Sequence, residues 1–291
     1  LADIEFSIDA LMPPDMAHRA EAIGIRKAKQ DFLTMFVLAI LAGAFIGAGA
    51  IFATTVWTGG SSLPYGVNRL LGGLAFCLGL ILVIVAGAEL FTGNNLIVMA
   101  WAAGKVNTGM LLRNWGIVYV GNFVGSLLTV IIMLLTQQYM QSKGAVGLMA
   151  LNIANAKVML SPVAAFFLGV MCNALVCIAV WLSFSARSTI DKILAIIFPI
   201  SAFVAAGFEH SVANMYFIPI GLLIKQFAPA SFWAADALAK ATPAVTAAAY
   251  AKLTWLGFLG NLIPVTLGNI VGGAGMVGLV YWFVYLHPRK D

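Results

Sequence analysis

Two stretches of this sequence carry chemically capable side chains in surroundings that argue against them. Residues 207–214 read Gly-Phe-Glu-His-Ser-Val-Ala-Asn and residues 87–94 read Gly-Ala-Glu-Leu-Phe-Thr-Gly-Asn, two copies of G-x-E-x-x-x-x-N set 120 positions apart. Both lie in long runs of Ile, Val, Phe, Ala and Met, where an ionisable side chain costs roughly 2.5–3.5 kcal/mol even on the gentler insertion scales. His210 is therefore expected at a functional site. A histidine that only ties two helices together is the competing account, but Asn or Ser could make that contact without risking a buried charge. Imidazole also has the one side chain whose ordinary pKa lies near neutrality, so a function through it would depend on pH. Gly87, Gly207 and the Asn and Thr beside them supply the turn chemistry that interrupts a helix. At membrane depth an interruption is tolerated only where protein buries it or a cavity borders it.

The elements that must position these groups follow from composition. Of 291 residues 62% are hydrophobic and 9% charged, and the mean hydropathy is +0.99, values that exclude an ordinary soluble domain. The net charge of +5 does not imply nucleic acid, because the Lys and Arg residues stand singly at the ends of apolar runs, as membrane topology requires. The three cysteines, Cys77, Cys172 and Cys177, all lie in apolar segments and read as packing thiols rather than disulfides or metal ligands. Six membrane-length segments are predicted near 31–57, 66–104, 108–138, 158–186, 189–226 and 247–286, the second and fifth overlong because each contains a break. Residues 137–155 and 229–246 are predicted as linkers. Trp57, Trp101, Trp233 and Trp282 stand near segment ends and read as interfacial anchors.

Residues 1–30 are predicted as a separate unit containing an amphipathic helix on the membrane surface, started by Pro13-Pro14-Asp15. Residues 31–286 form the membrane domain and 287–291 a short tail. The acidic opening, Leu1 to Asp9, has no signal-peptide pattern, so the first apolar run is expected to act as the targeting signal. An even number of spans puts both termini on one side. Ten basic residues, Arg289 and Lys290 among them, then fall on that side against six on the other, which makes it the cytoplasmic side.

Residues 114–125 match residues 261–272 at six of twelve positions, including two Asn and a G-N-x-V-G in register. With three spans per half the two halves must be inverted, and paired breaks in such a repeat mark a permeation site. The pairs Gly43/Gly47, Gly121/Gly125 and Gly268/Gly272 offer faces for close helix contact, within or between subunits.

The segments 86–95 (AGAELFTGNN), 121–128 (GNFVGSLL), 181–192 (WLSFSARSTIDK), 205–221 (AAGFEHSVANMYFIPIG) and 260–273 (GNLIPVTLGNIVGG) resemble the formate/nitrite transporter family, over essentially the whole chain. The resemblance implies an all-α polytopic membrane protein with an aquaporin-like arrangement of six transmembrane helices. It implies a homopentamer in the inner membrane with one pore per protomer, passing formate or a related small monovalent anion without a cofactor. It sets His210 beside Thr92 and puts Phe76, Leu80, Leu90 and Phe203 at apolar constrictions, with Phe91 in the pore. Asn173, Asn214 and Lys157 would form a polar network behind the histidine. A carboxylate facing an anion repels it, so Glu89 and Glu209 are expected to accept hydrogen bonds from the broken backbone. A formate-producing cytoplasmic enzyme is the partner implied for the N-terminal helix.

An aquaporin would show paired Asn-Pro-Ala motifs, and this chain has no Asn-Pro dipeptide. An enzyme would need a second catalytic group near the histidine; Ser211 is adjacent, but no Gly-x-Ser-x-Gly elbow accompanies it. A proton-coupled carrier of the same family is the alternative to a channel.

Overall fold

The computed structural model describes residues 10–241 and 244–288; Leu1 to Asp9, Arg289 and Lys290 lie outside the described residues. Among the described residues every regular element is helical. The order is α1 (Pro13–Lys29), α2 (Phe32–Trp57), α3 (Tyr65–Ala86), a 3-10 turn (Gly93–Ile97) leading into α4 (Val98–Ala102), α5 (Thr108–Leu135), α6 (Ala145–Val158), α7 (Pro162–Ser185), α8 (Thr189–Ala206) and α9 (Ser211–Phe227). After these come α10 (Ala230–Trp233), α11 (Asp236–Ala239), α12 (Trp255–Ile270), a π-helical stretch over Val271–Leu279, and α13 (Val280–Tyr285). Among the described residues six segments are long and apolar enough to cross a membrane: α2, α3, α5, α7, α8 and the run containing α12 and α13.

Short polar side chains start these helices. Asp31 accepts the Thr34 N–H, Asn107 that of Met110, Ser161 that of Ala164 and Thr254 that of Gly257, and Ser188 with Asp191 forms a reciprocal capping box. Each satisfies an amide that the first helical turn leaves unpaired. α2 packs against α3 and α5, α7 against α12, and α3 against α8. Glycine permits the closest of these approaches: a Cβ on Gly125 would meet the Ile40 carbonyl, and one on Gly272 the Val170 carbonyl. A Cβ on Gly43 would likewise meet the Asn122 carbonyl, so all three small-residue faces are used inside the chain.

The linker predicted over 137–155 is instead the short helix α6, and the fourth span starts at Pro162 rather than at 158. α6 is too short to span, and its Gly147, Asn and Lys residues disguise it as a loop. It packs on α9. The linker predicted over 229–246 likewise holds α10 and α11, anchored by the fully buried Phe232 against Tyr139.

Candidate functional site

α3 stops at Ala86 because Gly87 turns into the left-handed region (φ 83°), and α8 stops at Ala206 because Gly207 does the same (φ 77°). That conformation carries a Cβ penalty for any residue but glycine. Extended residues follow each glycine, and helix resumes at Gly93 and at Ser211.

Buried asparagines hold the extended strands. Asn122 accepts the Phe91 N–H (2.9 Å) and donates to the Ala39 and Glu89 carbonyls (2.8 and 2.9 Å). Asn269 accepts the Ser211 N–H (2.9 Å) and donates to the Gly169 and Glu209 carbonyls (2.8 and 2.9 Å). One amide side chain with both donors and its acceptor engaged thus satisfies an N–H and a carbonyl of the broken segment and ties it to a carbonyl of a neighbouring helix, α2 in one half and α7 in the other. The carboxylates take other partners. Glu89 accepts from Lys27 Nζ (2.8 Å) and Asn94 Nδ2 (2.7 Å), and Glu209 from Lys157 Nζ (2.8 Å) and Asn214 Nδ2 (2.6 Å). Asn114 bridges Asn94 to the Lys27 carbonyl, as Asn261 bridges Asn214 to the Lys157 carbonyl. The expectation that Glu89 and Glu209 accept from the broken backbone is thus corrected. A carboxylate only accepts, whereas the bend exposes carbonyls as well as N–H groups, and an amide can answer both.

Two cavities approach each other along α3. One, of about 400 Å³, borders Trp57, Arg69, Phe76, Lys157, Phe203, Gly207, Glu209 and His210. Another, on the α1 side, has a deep part of about 80 Å³ against Leu80 and Leu90 and a wide mouth of about 700 Å³ that reaches Lys27, Gly87 and Glu89. Phe76 and Leu80, one turn apart, face different cavities. Phe76 stands edge-on to Phe203 (5.8 Å between ring centres), and Phe203 stacks on His210 (5.9 Å).

In this neck His210 is 3% exposed and Thr92 fully buried. His210 Nδ1 accepts the Ala213 N–H (3.0 Å), capping α9. The hydrogen of the neutral ring is thereby fixed on Nε2, which lies 2.9 Å from Thr92 Oγ1 and donates to it. Asn173 Nδ2 reaches the Thr92 carbonyl (3.2 Å), Asn95 Oδ1 (2.9 Å) and the Asn269 carbonyl (2.7 Å), and the Cys177 thiol donates to the same Thr92 carbonyl.

Of the residues singled out in the sequence, His210, Phe76, Phe203, Lys157, Gly207 and Glu209 meet at one cavity, and Leu80, Leu90, Gly87 and Glu89 at the other. Asn173 and Asn214 are buried behind the neck. Phe91 does not join them: it packs edge-on against Trp115 and Tyr119 and faces a groove between α5 and α12. The extended backbone sends alternate side chains to opposite sides, so with Leu90 inward Phe91 points out. Trp57 is no interfacial anchor either, since it lines the cavity under the Arg69 guanidinium (5.2 Å).

Sequence reasoning missed Lys27, Arg69, Asn122 and Asn269. Arg69 donates to the Val204 and Ala205 carbonyls (2.6 and 3.1 Å) at the end of α8, where the Val204 carbonyl also accepts the Gly207 N–H. A signal existed for Lys27: residues 20–27 and 150–157 share A-x-x-I-x-x-x-K.

Six apolar spans around two facing cavities with a buried polar neck define a polytopic transport protein. The formate/nitrite transporter family model matches residues 14–283, and the chain belongs to that family. It is 46% identical to the formate channel FocA of Escherichia coli (strain K12), covering 97% of this chain and 96% of that one. To the formate channel FocA of Haemophilus influenzae it is 41% identical, covering 93% of each. A solved structure described as a pentameric formate channel with formate bound superposes with a TM-score of 0.81 at 50% identity, covering 88% of this chain and 98% of that one.

Proposed function

We propose that this chain is a formate channel whose path runs from one cavity to the other through the neck of Phe76, Phe203, His210, Thr92, Leu80 and Leu90. The observation that carries this reading is the Thr92–His210 hydrogen bond at the point where the two cavities approach. Moving a bare carboxylate into an apolar medium costs tens of kcal/mol, and a helix N-terminus returns only about 0.3–2 kcal/mol. The anion therefore needs a donor at the narrowest point. His210 Nε2–H is that donor, with Thr92 as the acceptor it holds when no anion is present. A passing carboxylate oxygen replaces Thr92 Oγ1, and the freed hydroxyl offers a second hydrogen.

A proton-coupled carrier is the weaker reading. To hand over a proton the ring must first bind one at Nδ1, which means giving up the Ala213 amide. Reversal potentials for formate in planar bilayers, with and without a proton gradient, separate the two: a potential that tracks formate alone supports a channel, and one displaced by the proton gradient overturns it.

Each protomer carries its own path, and five protomers assemble in the inner membrane with α1 on the cytoplasmic side. The similarity to a pentameric channel and the positive-inside bias support this reading, and native mass spectrometry and protease access to α1 test it. A formate-producing enzyme remains the partner proposed for α1.

A further inference from the structure

The two vestibules differ sharply in charge. Beside Glu209 the α6-side cavity holds Lys157, paired with it, and Arg69, whose Nε and Nη2 serve backbone carbonyls. The mouth on the α1 side is walled by Arg19, Arg26, Lys27, Lys29 and Lys192, with Glu89 the one carboxylate among its lining residues. Lys27 neutralises Glu89, and Arg19 donates to the Phe184 carbonyl. Among the described residues Arg26, Lys29 and Lys192 are left with their donors unengaged, from two separate elements, α1 and α8. A topological charge bias distributes lysines and arginines among the lipid headgroups around a protein. It does not call for five of them around one open mouth of about 700 Å³ that adjoins the smaller cavity against the apolar pair Leu80 and Leu90.

We infer that this mouth binds a soluble multivalent phosphate anion, of the diphosphate class, which sits on Arg26, Lys29 and Lys192 and occludes the path from the α1 side. Clustered guanidinium and ammonium donors suit an anion with several charged oxygens far better than a singly charged carboxylate. The apolar neck below offers nothing to replace the hydration of such an anion, so it stops in the vestibule. Occlusion rests on the formate-channel reading, whereas binding does not.

Binding is measured on the purified full chain in neutral detergent as the rise in Tm with inorganic pyrophosphate, against potassium formate at matched ionic strength as control. Pyrophosphate should raise Tm where formate does not, and Arg26→Gln with Lys192→Gln should raise the concentration needed by about tenfold or more for the loss of charge-assisted hydrogen bonds. No rise, or a rise unchanged in the double variant, overturns the proposal. A rise produced by phosphatidylglycerol but not by pyrophosphate assigns the residues to headgroup contact and also overturns it. In planar bilayers carrying formate current, pyrophosphate should block from one chamber only, the one from which an impermeant maleimide labels Lys29→Cys. Block from the other chamber or from both overturns the occlusion. Absence of any formate current refutes the channel reading and leaves the Tm measurement to decide on binding.

Discussion

At the scale of single residues, His210 combines two tasks that can be separated. Its Nδ1 caps α9 and its Nε2 serves the neck. Asparagine is among the best N-cap residues but cannot reach where Nε2 reaches, so His210→Asn should preserve the cap while removing the donor. The variant is expected to keep its Tm and oligomeric state and to lose about tenfold or more of the formate flux, the equivalent of one buried hydrogen bond to a charged group. His210→Ala loses the cap as well and should be less stable than His210→Asn by about 0.5–2 kcal/mol. Formate uptake by proteoliposomes together with thermal unfolding checks both. Uptake by His210→Asn equal to the parent's would mean that the ring does not touch the anion.

Among the elements, α1 and α6 matter more than their position at the ends of the bundle suggests, because each delivers a lysine to a buried carboxylate. Deleting residues 1–28 strips Glu89 of Lys27 and should lower Tm, since removing one partner of a buried pair costs about 3–5 kcal/mol. Glu89→Gln in the truncated chain removes the orphaned charge and should recover part of that loss; if it lowers Tm further, the pair is not what α1 contributes. The junction of α1 with α2 should respond to acid. The Thr34 N–H holds the Asp31 carboxyl below its ordinary pKa. A depressed folded-state pKa stabilises fully above the unfolded value and is lost as pH falls through the lowered one. Asp31→Asn, which keeps an acceptor but cannot titrate, should therefore flatten the acid limb of Tm against pH while leaving Tm at pH 7 nearly unchanged, and an acid limb as steep as the parent's would exclude Asp31 as its source. The membrane-crossing helices were legible in the sequence because twenty apolar residues leave few alternatives, and so were the two glycine-led stretches, since buried charge is conspicuous there. α6 was not legible: its job is to carry Lys157 over Glu209, a tertiary contact that no local pattern announces. The same holds for Asn122 and Asn269, whose matching positions appeared in the aligned segments but whose role depends on backbone 31 and 58 residues away.

Over the whole molecule, hydrogen bonds recur at fixed offsets: Lys27, Leu38 and Ala39 correspond to Lys157, Leu168 and Gly169, Glu89 and Asn94 to Glu209 and Asn214, and Asn114 and Asn122 to Asn261 and Asn269. The Phe91 and Ser211 amides, which bond Asn122 and Asn269, fix the register, so Leu90 matches His210 and Thr92 matches Val212. The scaffold is therefore nearly two-fold while the neck is not: one histidine and one threonine, drawn from different halves, meet where symmetry would also set a leucine against a valine. If the scaffold alone positions these side chains, they can be exchanged. Leu90→His with His210→Leu should fold but pass formate poorly, because the new ring faces Val212 and has no hydroxyl to hold. Adding Thr92→Val and Val212→Thr rebuilds the pair from the opposite halves and should restore most of the flux. Uptake and Tm measured on the double and quadruple variants decide this. A quadruple variant that folds yet transports no better than the double one would show that the halves are equivalent as supports but not as sites. Asn173, which corresponds to Gly43 and contacts Thr92 alone of the two positions, would then be the element of asymmetry to transplant next.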